Sequence, residues 1–233
     1  MDRKGMSHIE IIASFAMFVG FLLFGLYFFN PLNNERLLDS TLYYAMDAIN
    51  NNVTARSISY GIALKSDVAS PVVIVPLGRG DAEGEGVYVE DSLGQKVPSA
   101  QLAQGVAFSR VDDFFQIRFG SFPYQGATLQ NPVLLVIGEN YTISTSEEFE
   151  LADETRLRAL AGTYQESYEE LKTKFNLPRR VDFAFIVKLS EADKIEATRE
   201  IPEGVESFAQ TKRVRLTRED GSMAFADMTV VVW

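Results

Sequence analysis

Cysteine is absent from the 233 residues and histidine occurs once, at His8. Without thiols there is no disulfide framework, no thiolate metal site and no cysteine nucleophile. A single imidazole excludes the usual zinc ligand sets and the relays in which histidine activates serine. Positive charge is scarce as well: 22 Lys plus Arg stand against 32 Asp plus Glu, a net charge of −10. Such a surface repels phosphate backbones, so nucleic acid is not expected as a partner. GxSxG, Walker and HExxH patterns are missing. The carboxylate pairs Glu147-Glu148 and Glu169-Glu170 have no companion group that defines a mechanism. The composition therefore points away from an enzyme, and no metal or cofactor is expected.

What the chain does have is apolar bulk concentrated at one end. Ile11 to Phe29 form an uncharged run of 19 residues. As a helix that run covers roughly 28 Å, against a hydrocarbon core of ~30 Å. It ends in Tyr27-Phe28-Phe29-Asn30-Pro31, without the small-x-small site at which a secretory signal is cut, so it is expected to stay on the mature chain. The sequence thus predicts a single-pass membrane helix. Arg3 and Lys4 favour a short cytoplasmic amino terminus, with everything after Phe29 outside.

The residues ahead of the run are Arg3-Lys4-Gly5-Met6-Ser7-His8-Ile9-Glu10. This amino terminus resembles that of type IV prepilins, and most of all the class III signals of archaeal pilins and archaellins. It departs from common archaeal pilins at Ser7-His8, where those often carry Ser-Pro, and in having the glutamate. The resemblance covers about the first 50 residues. It implies that a prepilin peptidase cuts between Gly5 and Met6 and that Glu10 becomes the fifth residue of the mature chain. It further implies that the new amino group of Met6 neutralises Glu10 of a neighbouring subunit and so sets the stagger of packed helices. The partners implied are copies of the chain or other pilins, the peptidase, an assembly ATPase and its membrane platform, with the lipid bilayer as the environment before assembly.

Independently of any family, a carboxylate at the border of lipid is costly, by about 2.5 kcal/mol or more if carried to the centre. Glu10 either has a partner or sits in the headgroup layer and snorkels. Phe15, Phe18, Phe21, Phe24 and Phe28 offer bulky packing surface for helix-to-helix contact.

Beyond Asn30-Pro31 the pattern turns amphipathic. Leu37, Leu38, Thr41, Leu42, Ala45, Ala48 and Ile49 recur at steps of three and four, opposite Glu35, Arg36, Asp39 and Asp47. Pro31 either kinks one continuous helix or opens a second, and Asn50-Asn51-Asn52 is expected to end it. The rest reads as strands: Ser57–Leu64, Val72–Leu77, Val87–Glu90, Val106–Arg110, Phe114–Phe119, Pro132–Ile137, Val181–Leu189, Thr211–Thr217 and Ala224–Trp233. One further helix carries Leu157, Leu160, Ala161, Tyr164, Tyr168, Leu171 and Phe175, capped by Asp153 and stopped at Asn176-Leu177-Pro178. The last two strands, joined through Glu219-Asp220-Gly221, predict a hairpin. The terminal Trp233 is expected to dock in the core or on the stalk.

The expected architecture is therefore α+β: a basic leader (1–5), a long amino-terminal transmembrane and stalk helix (6–54), and a mostly antiparallel β head with one additional helix (55–233). Three features of the head stand out. Gly78 to Gly86 form a glycine-rich acidic loop that fits neither a dinucleotide fingerprint, with Glu83 where the third glycine belongs, nor a calcium loop, with Ser92 at the closing position. It reads as a flexible hairpin tip. Lys212, Arg213, Arg215 and Arg218 make a basic strip on the wet face of a strand. Asn52 and Asn140 each begin an Asn-X-Thr triplet open to N-glycosylation. The function these features imply is a pilin-like subunit of a cell-surface filament, with major, minor or tip status open. The alternatives are an uncleaved membrane-anchored binding or sensor module and a pseudopilin of a secretion apparatus.

Overall fold

The computed structural model describes residues 3–28, 32–123 and 126–233, with side chains described from Glu10 onward except at Leu26, Phe28 and 32–38. Two helices open the chain, α1 (Arg3–Phe28) and α2 (Leu32–Val53). The stretch around Pro31 lies outside the described residues, and so do the side chains of Leu37 and Leu38. Strands β1 (Thr54–Leu64), β2 (Val72–Val75), β3 (Gly86–Asp91), β4 (Ser99–Leu102), β5 (Gly105–Ser109), β6 (Phe114–Gly120), β7 (Val133–Leu134) and β8 (Tyr141–Asp153) follow. Then come α3 (Glu154–Glu166), α4 (Tyr168–Lys174), β9 (Phe183–Lys188), β10 (Lys194–Ala197), β11 (Phe208–Thr217) and β12 (Met223–Val232).

Eight strands form one sheet in the order β10-β9-β12-β11-β8-β1-β6-β3, and a second sheet runs β4-β5-β2-β7. Strand β8 holds the large sheet together. It pairs antiparallel with β1 from Thr54↔Ala152 to Leu64↔Tyr141, and meets β11 in parallel at Leu216↔Ala152 and Thr217↔Asp153. Two large hydrophobic cores result, beside a small cluster of Ile74, Ala100 and Ala107. In one, the predicted face of α2 (Thr41, Leu42, Ala45, Ile49, with Met46 and Val53) is buried with α3 and α4 against β9, β11 and β12. In the other, Ile62, Val89, Ile117 and Phe119 of the large sheet meet Val73, Val75, Val106 and Phe108 of the small one.

The expected architecture needs correction on three points. An eight-stranded sheet dominates the molecule, where the sequence predicts a stalk helix as the leading feature. The head carries two helices after β8 where one was expected. Among the described residues no helix is long and apolar enough to cross a membrane. That finding contradicts the expected single-pass membrane placement.

The expected single helix breaks at Ser167, whose φ of −141° and ψ of 49° are not helical. Asp153 does cap the start, its side chain accepting from the Arg156 amide at 2.8 Å. The break serves two tyrosines. Tyr164 Oη donates to the Phe183 carbonyl at 2.5 Å, and the Phe183 amide donates to Tyr168 Oη at 3.1 Å, so both rings address one residue of β9. Burial pushes the Tyr164 hydroxyl up to about 12. Burial also raises that of Tyr168, which donates to Asp182 Oδ1 at 2.8 Å. Lys172, itself buried, donates to the same Asp182 oxygen and to the Arg179 carbonyl, both at 2.9 Å. Asp182 and Trp233 exchange backbone hydrogen bonds at 2.8 and 3.0 Å, which docks the buried terminal tryptophan beside this cluster.

Burial alone raises the Asp182 carboxyl, but the bonds from Lys172 and Tyr168 outweigh it and hold the group below its ordinary value. A carboxyl depressed in the folded state stabilises above its unfolded pKa, and the contribution is lost as pH falls through the folded value. In urea unfolding, Lys172→Met is expected to be less stable than the parent at pH 6, with the gap narrowing as pH falls below about 4. An equal gap at pH 6 and pH 3 would contradict this linkage.

Candidate assembly surface

The described part of α1 is apolar on every side and uncovered. Ile11, Ile12, Phe15, Met17, Phe18, Phe21, Leu22, Leu23, Phe24 and Tyr27 are between 47% and 77% exposed. At 100° per residue these positions go round the whole circumference of the helix, so no single stripe turned inward could hide them. The predicted packing residues Phe15, Phe18, Phe21 and Phe24 are therefore brought together as one continuous greasy rod. Phe28 belongs to α1, but its side chain lies outside the described ones.

Glu10 is exposed and has no ion-pair partner among the described residues. Arg3, Lys4, Gly5 and Met6 form the first turn of α1 by backbone, and their side chains lie outside the described ones. Met6 and Glu10 are four residues apart, about 6 Å along the axis and on one face. A cut behind Gly5 would place a cationic amine and an anionic carboxylate within one turn of the new helix start. The head meanwhile engages the opposite end of this region through α2, whose exposed side shows Tyr43, Tyr44 and Asp47.

The glycine-rich loop is held against the head, where the sequence suggests a flexible tip. Arg79 donates to the Gly84 carbonyl at 2.5 Å and to Gln101 Oε1 at 2.7 Å. The Glu83 amide donates to the Arg56 carbonyl at 3.0 Å, and its carboxylate pairs with Arg156. That hydrogen bond from Arg156 holds the Glu83 carboxyl below the usual range. Gly84 has φ +77°, and a Cβ there would lie 2.4 Å from Ser121 Cα, so the loop's path requires glycine. Among the described residues no group of three or more His, Asp or Glu is placed to hold a metal.

The basic strip alternates as expected, with Val214 and Leu216 buried between exposed Arg213 and Arg215. Arg213 lies 4.8 Å over the Phe225 ring, Arg215 reaches Met223 Sδ at 3.3 Å, and Arg218 pairs with Asp193 at 3.3 Å. Much of its charge is thus used within the head. Asn52 falls in the last turn of α2 and Asn140 in the turn before β8, at opposite ends of the β1–β8 pair.

Sequence reasoning did not find the cluster of Tyr168, Lys172 and Asp182, nor Arg118. That arginine is buried on β6, donates to the Gly221 carbonyl at 3.0 Å and lies 5.4 Å over the Tyr88 ring. Their partners come from separate elements, and no local spacing announces them. Comparison with protein-family models, with curated proteins and with solved structures finds no match for this chain.

Proposed function

We propose that the chain is a structural subunit that assembles into a filament by packing α1 against α1 of other copies. The observation that supports this most is the uncovered apolar circumference of α1. Burying one such side chain stabilises by about 1.5–3 kcal/mol, so ten of them represent on the order of 15 kcal/mol or more that the isolated chain leaves unrealised. A helix apolar all round is stable only when surrounded. Identical rods supply that cover from several sides at once, while the head stays outside the bundle and keeps its own two cores.

In this reading a prepilin-type peptidase removes residues 1–5, an assembly ATPase drives addition of subunits, and Glu10 pairs with the Met6 amine of the neighbour. A carboxylate inside a bundle of apolar helices is strongly unfavourable unless neutralised, so the pair fixes which turn of one rod faces which turn of the next. Intact-mass analysis of native protein is expected to give a chain that starts at Met6, and electron microscopy to show fibres. Glu10→Ala is expected to leave the head folded and to abolish the fibres or disturb their regularity. A native chain still carrying residues 1–5, or unaltered fibres from Glu10→Ala, would overturn the reading.

A further inference from the structure

Neither Asn-X-Thr triplet is used by the assembly surface, and the structure separates them. We infer that Asn140, and not Asn52, is the acceptor of an N-linked sugar on this chain. The acceptor is an Asn-X-Thr triplet in a surface loop, and because the new bond forms at the carboxamide nitrogen, a nitrogen and a hydroxyl not held by the fold favour the reaction.

Asn52 fails on each count. It lies within the helical turn that ends α2, its Nδ2 donates to the Ala48 carbonyl at 3.4 Å, and its Oδ1 accepts from Lys174 Nζ at 2.7 Å. The hydroxyl two residues on, Thr54 Oγ1, donates to the Asn50 carbonyl at 2.7 Å. Both reacting groups of that triplet are engaged by the fold.

Asn140 meets each requirement. It sits in the turn at 138–140, and Oδ1 accepts from the Val136 amide at 3.0 Å. Nδ2 has no hydrogen-bond partner among the described residues. Tyr141 is buried and Thr142 exposed, as alternation on entering β8 requires, so Asn140 and Thr142 share the outer side. The chemistry is a transfer from a glycosyl phosphate donor. Nδ2 attacks the anomeric carbon, the bond from that carbon to the phosphate oxygen breaks, the phosphate leaves with the electron pair, and one amide proton is lost.

The turn also adjoins something a sugar would cover. Val133 and Leu134 of β7, an edge strand of the small sheet, and Val136 and Ile137 just beyond it form an apolar ribbon, between 49% and 57% exposed. An open apolar strand edge is an aggregation hazard that proteins usually blunt. A glycan rooted at Asn140 lies beside that edge and supplies hydrated bulk there.

The test is peptide mass mapping of the full chain isolated from its native host, for the parent and four variants. Sugar mass is expected on the Asn140 peptide of the parent, of Asn52→Gln and of Thr142→Ser, and is expected to vanish in Asn140→Gln and Thr142→Ala. Thr142→Ala keeps the Asn140–Val136 bond, so its loss of sugar would not reflect a broken turn. A bare Asn140 in the parent, or sugar on Asn52, would overturn the inference. The result is independent of whether α1 builds a filament.

Discussion

Aspartate at both Phe18 and Phe21 is expected to eliminate assembly while leaving the unfolding transition of the head where it was. The two rings are three residues apart on α1, 59% and 74% exposed, and lie on one face of the rod. In the single chain the change replaces uncovered apolar surface with solvated charge, which costs the fold nothing. Between packed rods it places two carboxylates in a dry contact, at several kcal/mol each. At 1.4 kcal/mol per factor of ten, the concentration needed for assembly is expected to rise more than ~100-fold. Sedimentation of the mature protein reads the first effect and thermal unfolding of the head the second. Assembly at the parental concentration would show that α1 is not the packing element. A large fall in melting temperature would show that α1 belongs to the head's own fold.

Phe183→Ala is expected to have the largest effect on stability, about 3–5 kcal/mol, because a cavity forms where the surroundings cannot collapse. Phe183 is fully buried and meets Tyr164, Tyr168 and Phe175 at ring-centroid distances of 5.4, 5.7 and 5.7 Å. Both tyrosine hydroxyls are tied to its backbone, so the rings cannot swing into the space that the side chain vacates. For a chain of this length each kcal/mol moves the midpoint by roughly 2–4 °C, which sets the expected drop at about 6–20 °C. Phe114→Ala is the control. That ring is mostly exposed on β6, and its loss is expected to cost about 0.5 kcal/mol or less. Equal losses from the two substitutions would mean that the aromatic cluster does not organise the helical core.

Much of the head was legible where the signal is local. The face of α2 through Leu42, Ala45 and Ile49, the Asp153 cap and the β11–β12 hairpin with its Asp220-Gly221 turn were all readable from the sequence. Each is fixed by residues a few positions apart. The alternation of Arg213, Val214, Arg215 and Leu216 likewise declares its own buried side. The grease of α1 is plain in the sequence too, but length and burial pattern are separate matters. Only the structure supplied the finding that no described helix is long and apolar enough to cross a membrane.

Strand β8 shows what could not be read. Thr142 to Glu148 are exposed throughout and carry Ser, Thr and Glu on both faces, so no period of two appears. Its conformation comes from the β1 edge, whose amides and carbonyls need partners along eleven residues, and that edge is paired only once the chain has folded. Strands β4 and β10 are short and went unseen for the same reason. The helix break at Ser167 is equally non-local, because the three-and-four spacing from Leu157 to Phe175 runs straight through it. What bends the path there is the position of Phe183 on another element.

The sequence by itself determined the greasy amino-terminal rod, the buried face of α2 and most strands, since periodicity and capping act within a few residues along the chain. Tertiary structure alone decided that β8 would join the two halves of the large sheet, that Lys172 would meet Asp182, and that Asn140 would be left free while Asn52 was engaged. Those outcomes depend on hydrogen-bond partners that folding brings together from distant parts of the chain.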